Sequence, residues 1–402
     1  MINIIPRSPL LKVRDFRLLL ASTFFENMTR GEIVVLGWVV LELTDSPFMV
    51  GVAMAIRHAP GFFLGIPGGA IADLVDRRRL MRVLIALFAI VSLIMGLLLV
   101  SGKAQLWQLL IIPAAAGTVH MMLNTTRQSL VFDLVGHRDG LNGMSYIGLA
   151  MRSGGLVGAL TVGFALSAWG AGAGYFVITG GCCISFVIMR LIHSRGQDAP
   201  TGTGNISTGL WEFWKELKHN HTVAALVVIV MLVELCGFTP NILMPSIARD
   251  VWNLGPGGLG ILNAFSSVGG IVAIALISFV GRIRYQGLAF IVVMHVFGVA
   301  IIILGFSPSV YIAVCAIVVM SGMMALSDLF SQTLMQRLVP NDLRGRIMGA
   351  WATAIGIAPL GNLEIGALAS LLGITMALAF HGGALILLAV ATLATFGKLR
   401  RI

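Results

Sequence analysis

The chain has 402 residues, of which 57% are hydrophobic and 11% charged, with a mean hydropathy of +0.95 and a net charge of +10. Soluble domains carry about 45–50% apolar residues, so this composition excludes a disordered chain and an ordinary water-soluble core. The four cysteines, Cys182, Cys183, Cys236 and Cys315, all lie in apolar runs, which excludes a disulfide scaffold, and the bases do not gather on one face as a nucleic-acid partner would require.

A helix that crosses a bilayer needs about 20 mostly apolar residues. Asp, Glu, Lys and Arg are missing from 83–102, 153–189, 285–327 and 365–397. The last three stretches exceed one span. Breaks at Trp169-Gly170-Ala171-Gly172, Ser307-Pro308 and Leu372-Gly373 divide each into a hairpin of two helices. In chain order, helices are predicted to begin near 18, 48, 80, 106, 142 and 173, then near 222, 257, 287, 308, 347 and 374. The expected fold class is an all-α membrane protein with twelve transmembrane helices in two pseudo-symmetric six-helix bundles.

The first helix follows Arg7, Lys12, Arg14 and Arg17; it is too long for a signal-peptide core and lacks a small-residue cleavage site, so it is expected to remain. It carries Glu26, Asn27, Arg30 and Glu32. Glu26 and Arg30 stand one turn apart in the favourable order, which leaves two readings: a local ion pair, or a carboxyl that exchanges a proton with cargo while Arg30 holds an anionic group. Glu32 lies about 200° around the helix from Arg30 and is assigned to a neighbouring helix. Helix two holds Arg57 and the ladder Gly61, Gly65 and Gly69. Helix four holds His120 and Asn124, and helix five places Arg152 beside Gly154, Gly155, Gly158 and Gly163. Glycine ladders of this kind let helices approach closely and slide. Arg57 and Arg152 are expected to be paired structurally.

Glu234 sits about twelve residues into helix seven, near the midplane at 1.5 Å rise per residue, with no base within a turn. It reads either as the proton-coupling acid or as a hydrogen-bonded structural one. Asp328 and Gln332 follow on helix ten, Asn362 and Glu364 on helix eleven. His120 titrates near neutrality and serves either as a proton relay or as a packing residue. Ionised groups at the bilayer centre cost about 2.5–3.5 kcal/mol on insertion scales, so all of these should face protein or water and find partners. Glu234, Cys236 and the histidines do not share a helix face with metal-ligand spacing; no metal and no cofactor are expected, and the proton is the expected coupling ion.

Placing both termini in the cytoplasm puts 22 of the 27 Lys and Arg inside, with Lys103 and Arg249 outside and Arg30, Arg57 and Arg152 within helices. The charge therefore reports topology, and the expected location is the inner (cytoplasmic) membrane. Residues 196–209, Gly-rich and polar, separate six helices from six, giving an N-terminal bundle over 1–195, a linker over 196–221 and a C-terminal bundle over 222–402. Leu210, Trp211, Phe213, Trp214 and Leu217 alternate at helical spacing with Glu212, Lys215, Glu216 and Lys218; this reads as an interfacial amphipathic helix, the other reading being a solvated linker helix. The halves echo one another. Leu134-Val135-Gly136-His137-Arg138-Asp139 returns 204 residues later as Leu338-Val339-Pro340-Asn341-Asp342, and Gly69 to Arg79 returns as Gly281-Arg282-Ile283-Arg284. Duplicated units are how secondary transporters build a midplane site between two rocking halves.

The segment Gly69-Ala70-Ile71-Ala72-Asp73-Leu74-Val75-Asp76-Arg77-Arg78-Arg79-Leu80, read as the loop after helix two, resembles the cytoplasmic signature of the major facilitator superfamily, with Leu74 and Asp76 where that family usually has Arg and often Gly. Trp38 to Pro47, Thr126-Arg127-Gln128, Asp133-Leu134-Val135, Ala248-Arg249-Asp250-Val251 and Leu343-Arg344-Gly345-Arg346 are similar to its enterobactin-exporter and transmembrane secretion effector branch. The resemblance implies a central cavity lined by helices one, four, seven and ten. It also implies a latch in which Gly69 and Asp73 meet the start of helix eleven near Arg344, with Arg77 or Arg78 facing Asp133. The run of glycines in helix five resembles the superfamily's exporter motif, although that motif's Pro has no counterpart from 148 to 168.

Gly-x-x-x-x-Gly-Lys is missing and the acids are dispersed, so the chain is not expected to be an enzyme. The leading expectation is a monomeric, proton-coupled exporter of amphipathic small molecules, drug-like or siderophore-like, whose only other partners are membrane lipids. The alternatives are a facilitator or importer of a small anionic metabolite, using Arg30 and Arg152, and a non-transporting sensor or lipid-handling scaffold.

Overall fold

A computed structural model describes residues 9–193, 221–280, 283–338, 351 and 354–395, with the side chains of 9, 61–74, 137, 138, 141, 221, 222 and 278–280 outside that description. After a 3₁₀ turn at Pro9–Lys12, α1 consists of Arg14–Asn27 and Gly31–Thr44 joined by the 3₁₀ turn Met28–Arg30. Asp45, in the left-handed region at φ 50°, ends α1. Ser46 then caps α2, Pro47–Leu74, with Pro47 at its first position, where a missing N–H costs nothing. Asp76 caps α3, Arg77–Val100, by accepting from the backbone N–H of Arg78 at 2.9 Å and Arg79 at 3.1 Å.

That cap corrects one expectation. Gly69 to Leu74 belongs to the last turns of α2, and the link to α3 is Val75 and Asp76 alone. The helices α4, Leu106–Gly136, and α5, Asn142–Trp169, run into one another and are broken only at Gly136, whose φ of 77° a side chain would resist. Gly170 opens α6, Ala171–Arg190.

In the second half, α7 spans Val223–Val251, α8 Pro256–Val280, α9 Gln286–Gly305, α10 Val310–Arg337, α11 Ala358–Leu372 and α12 Ile374–Thr395. Within α7, π turns occupy Glu234–Phe238 and Ile247–Val251, with a 3₁₀ turn at Thr239–Leu243 around Pro240. Among the described residues twelve helices result. Nine of them, among the described residues, are long and apolar enough to cross a membrane by the length and composition of one unbroken helix. α1 is interrupted, α11 is described over a short stretch, and α2 includes undescribed side chains. The linker helix expected within 196–221 and Arg344 lie outside the described residues.

Exposed Leu97, Phe164, Leu276 and Leu387 clothe the outside, while Phe88, Tyr175, Phe290 and Phe297 are buried, as a lipid solvent allows because the helices satisfy their own backbone groups. Within each half, α3 packs on α6 and α9 on α12; the halves meet where α5 packs on α8 and α2 on α11. These meetings lie toward the side opposite the termini, here the far side. A Cβ on Gly163 of α5 would stand 2.7 Å from Gly260 Cα, and one on Gly51 of α2 would strike the Asn362 carbonyl of α11. At that end Arg249 of α7 donates to the Leu41 carbonyl at 3.0 Å and to Asp45 at 2.5 Å, both belonging to the other half. The Phe48 N–H donates to Ser370 at 3.2 Å.

Candidate functional site

Between the halves, the N-terminal wall is built by α1, α2, α4 and α5. Glu26 is buried at 1% exposure and ion-pairs with Arg127 of α4, itself 1% exposed. Asn27 Nδ2 donates to Glu26 Oε2 at 2.8 Å and to the Thr23 carbonyl at 2.9 Å, which orients the carboxylate from its own helix. Arg127 Nη1 donates to Asn124 Oδ1 at 3.0 Å, and His120 Nδ1 lies 3.8 Å from Glu26 Oε1. A buried charge is tolerable only with such partners.

The local Glu26–Arg30 pair is therefore replaced by a pair between helices. The reason is geometric: Met28–Arg30 is a 3₁₀ turn, and at about 120° rather than 100° per residue three steps swing Arg30 roughly 60° away from Glu26. Arg127, counted in the sequence among the cytoplasmic bases, is instead a wall residue.

Glu32 accepts from Arg57 Nη2 at 3.0 Å and Nε at 3.1 Å, both side chains being buried. Arg57 Nη1 also lies 3.4 Å from His58 Nε2, and His58 Nδ1 lies 2.8 Å from the Met54 carbonyl and 3.4 Å from Asn362 Nδ2 of α11. These pairings leave Arg30 and Arg152. Among the described residues, neither guanidinium has a hydrogen bond or salt bridge. Arg30 is exposed although it sits in mid-helix, with Arg152, Arg127 and Arg57 on three other helices and Glu26 on its own in electrostatic reach.

The facing wall, from α7, α10 and α11, is acidic. Glu234 begins the first π turn of α7, a distortion frequent at functional sites, and is electrostatically coupled to Asp328 of α10. Asp328 in turn is coupled across the chamber to Arg152. Among the described residues, neither carboxylate has a hydrogen bond or salt bridge. Gln332 is half-buried one turn beyond Asp328. Glu364 meets His381 Nε2 of α12 at 3.1 Å, a partner that the sequence reading passed over because it lies on another helix. Among the described residues, no three His, Cys, Asp or Glu side chains form a metal cage.

At the end bearing the termini, Arg77 Nη1 donates to both Asp133 oxygens at 2.8 and 2.9 Å, tying α3 to α4. Arg78 donates to the carbonyls of Ile192 and His193 at 3.0 and 2.9 Å, which fastens α3 to the chain just beyond α6. Gly69 and Asp73 fall within the last turns of α2, and what their latch would meet near Arg344 lies outside the described residues.

Two six-helix halves that meet with a basic wall facing an acidic one follow the plan on which secondary transporters are built. The Major Facilitator Superfamily profile matches residues 19–361, and the chain belongs to that family. It is a multi-pass membrane transporter and not an enzyme. It is similar to the staphyloferrin A transporter of Staphylococcus aureus (strain NCTC 8325 / PS 47), 23% identical over 358 residues that cover 86% of this chain and 87% of the relative. Among solved structures, a peptide transporter, POT, in complex with alafosfalin is similar with a TM-score of 0.78 at 14% identity, covering 96% of this chain and 95% of that one. The nucleoside transporter NupG gives 0.77 at 14%, covering 95% and 99%. A bacterial homologue of the human lysosomal transporter Spinster, inward-facing and occupied, gives 0.74 at 13%, covering 98% and 99%.

Proposed function

We propose that this transporter exports amphipathic small molecules, drug-like or siderophore-like, in exchange for protons, by rocking of its two halves. The observation that carries the reading is the division of charge across the chamber: among the described residues, Arg30 and Arg152 on one wall and Glu234 and Asp328 on the other have no hydrogen bond or salt bridge, Arg152 and Asp328 attracting one another across the gap. An ionised Asp328 draws Arg152 toward the opposite half. A proton on Asp328 removes that attraction and releases Arg152 to cargo, so proton and cargo compete through one pair of groups. Glu234, coupled to Asp328, shares the same proton pool, whereas Glu26 is held by Arg127 and keeps the wall in shape. A 100 mV potential supplies about 2.3 kcal/mol per charge and each pH unit about 1.36, enough to move cargo uphill. The likeness to a staphyloferrin A transporter supports a siderophore-like cargo.

The chain is read as a monomer in the cytoplasmic membrane with both termini inside. Removing Arg127 from the inner bases leaves their excess over Lys103 and Arg249 intact. The far side is then extracytoplasmic, and its contacts close the chamber on that side.

The test is proton release from purified protein on adding ethidium, rhodamine 6G or citrate, repeated for Glu26→Gln, Glu234→Gln and Asp328→Asn. Release is expected to fall at least tenfold in Asp328→Asn and to persist in Glu26→Gln. Unchanged release in all three variants refutes carboxylate coupling. Proteoliposomes with and without a pH gradient give the direction.

A further inference from the structure

We infer that Arg30 and Arg152 together form an oxyanion site in the chamber, taking a carboxylate or phosphate group of the cargo. The inference rests on the transport reading above and narrows its substrate class. The stem of Arg30 lies on bare backbone of α5: a Cβ on Gly155 would stand 3.0 Å from Arg30 Cδ. Arg152 is three residues before Gly155, and side chains at that spacing share a helix face about 5–6 Å apart. Its Nη1 reaches α8, where a Cβ on Gly270 would strike it. Two guanidiniums thus converge where α1, α5 and α8 meet.

The surrounding charges do not neutralise them. Facing the pair are Glu26 on α1, already engaged by Arg127 and Asn27, Arg57 on α2, engaged by Glu32, Arg127 on α4, and Asp328 on α10. Four arginines therefore meet two committed acids and one acid on the opposite wall. Arg30 is exposed yet ringed by charged groups of α2, α4 and α5, so its head opens on the chamber rather than on lipid. Guanidinium forks bind carboxylate and phosphate through paired hydrogen bonds, and an anion between two of them relieves their repulsion.

The probes are citrate, inorganic phosphate and the neutral triamide of tricarballylic acid, titrated calorimetrically into protein in nanodiscs at low salt with no pH gradient. Citrate or phosphate is expected to bind, the triamide not to bind, and Arg30→Gln and Arg152→Gln each to weaken binding tenfold or more, with Arg30→Lys intermediate. Citrate without phosphate assigns a carboxylate, and the converse a phosphate. Should the variants fail to fold, citrate or phosphate must protect Arg30 and Arg152 of the wild-type protein from phenylglyoxal, mapped by mass spectrometry. No binding and no protection, or undiminished binding by both Gln variants, overturns the site. Anion binding with proton release insensitive to Asp328→Asn keeps the site and overturns the coupling. Proton release on adding ethidium with no anion binding does the reverse.

Discussion

Glu26 and Arg127 hold one another inside a low-dielectric wall, with His120 and Arg30 next in reach of the carboxylate. Asn27 and Asn124 each satisfy one of the pair through a neutral hydrogen bond, which fixes geometry without adding charge. Removing one partner of a buried pair strands the other and typically costs about 3–5 kcal/mol, whereas replacing both by apolar groups is often neutral. Glu26→Leu and Arg127→Leu are each expected to destabilise by that amount, and the double variant by much less than the sum, read from denaturation in detergent. Strict additivity would show that the two act separately. Glu26 was legible as an acid in an apolar helix. Arg127 was not, because helix four was ended too early; α4 continues nine residues beyond it to Gly136. The three-residue spacing from Asn124 was the signal available, since it places the two side chains on one face. The partner of Glu26 was misread for a related reason: a one-turn rule assumes an unbroken α-helix, and α1 tightens just where the rule was applied.

Irregular turns sit at matching places in the two halves, at Met28–Arg30 in α1 and Glu234–Phe238 in α7, each within two residues of a wall acid. Such turns aim side chains and let a helix bend as the halves rock. In α7 the sequence carries a cause, Pro240 and Pro245, each removing a backbone donor. In α1 it carries none that a single chain reveals. Helix starts were recovered within about four residues, apart from helix eleven, whose expected start near 347 lies outside the described residues, because apolar length and glycine breaks decide them. At the far end α1 and α7 are joined by Arg249, which the sequence placed on the outer side and within the stretch Ala248-Arg249-Asp250-Val251 without indicating its partners. Its partner Asp45 is mostly exposed, so the clamp is discounted to about 1 kcal/mol, roughly fivefold in the balance of two states. Arg249→Ala is expected to raise far-side opening several-fold, measured by spin-label distances between α2 and α11, with little loss of thermal stability. Unchanged distances would show that glycine packing alone closes this end.

At the scale of the whole molecule, the far-side contacts acquire a transport meaning only once the bilayer sides are assigned. Basic residues concentrate at the ends of helices that share a side with the termini, and Lys103 stands exposed in the opposite set of loops. The two-bundle plan and this charge asymmetry follow from composition along the chain, which is why they could be read without coordinates. The closed end could not, since it depends on contacts between residues roughly one hundred to three hundred positions apart. In a background without the native cysteines, Lys103→Cys in intact cells is expected to react with a membrane-impermeant maleimide, and Arg284→Cys only after permeabilisation. The converse pattern would invert the molecule in the membrane. The Arg249 clamp would then close the cytoplasmic entrance, and cargo in this state would meet Arg30 and Arg152 from outside. Topology labelling therefore decides which way the same chamber faces before any cargo is tested.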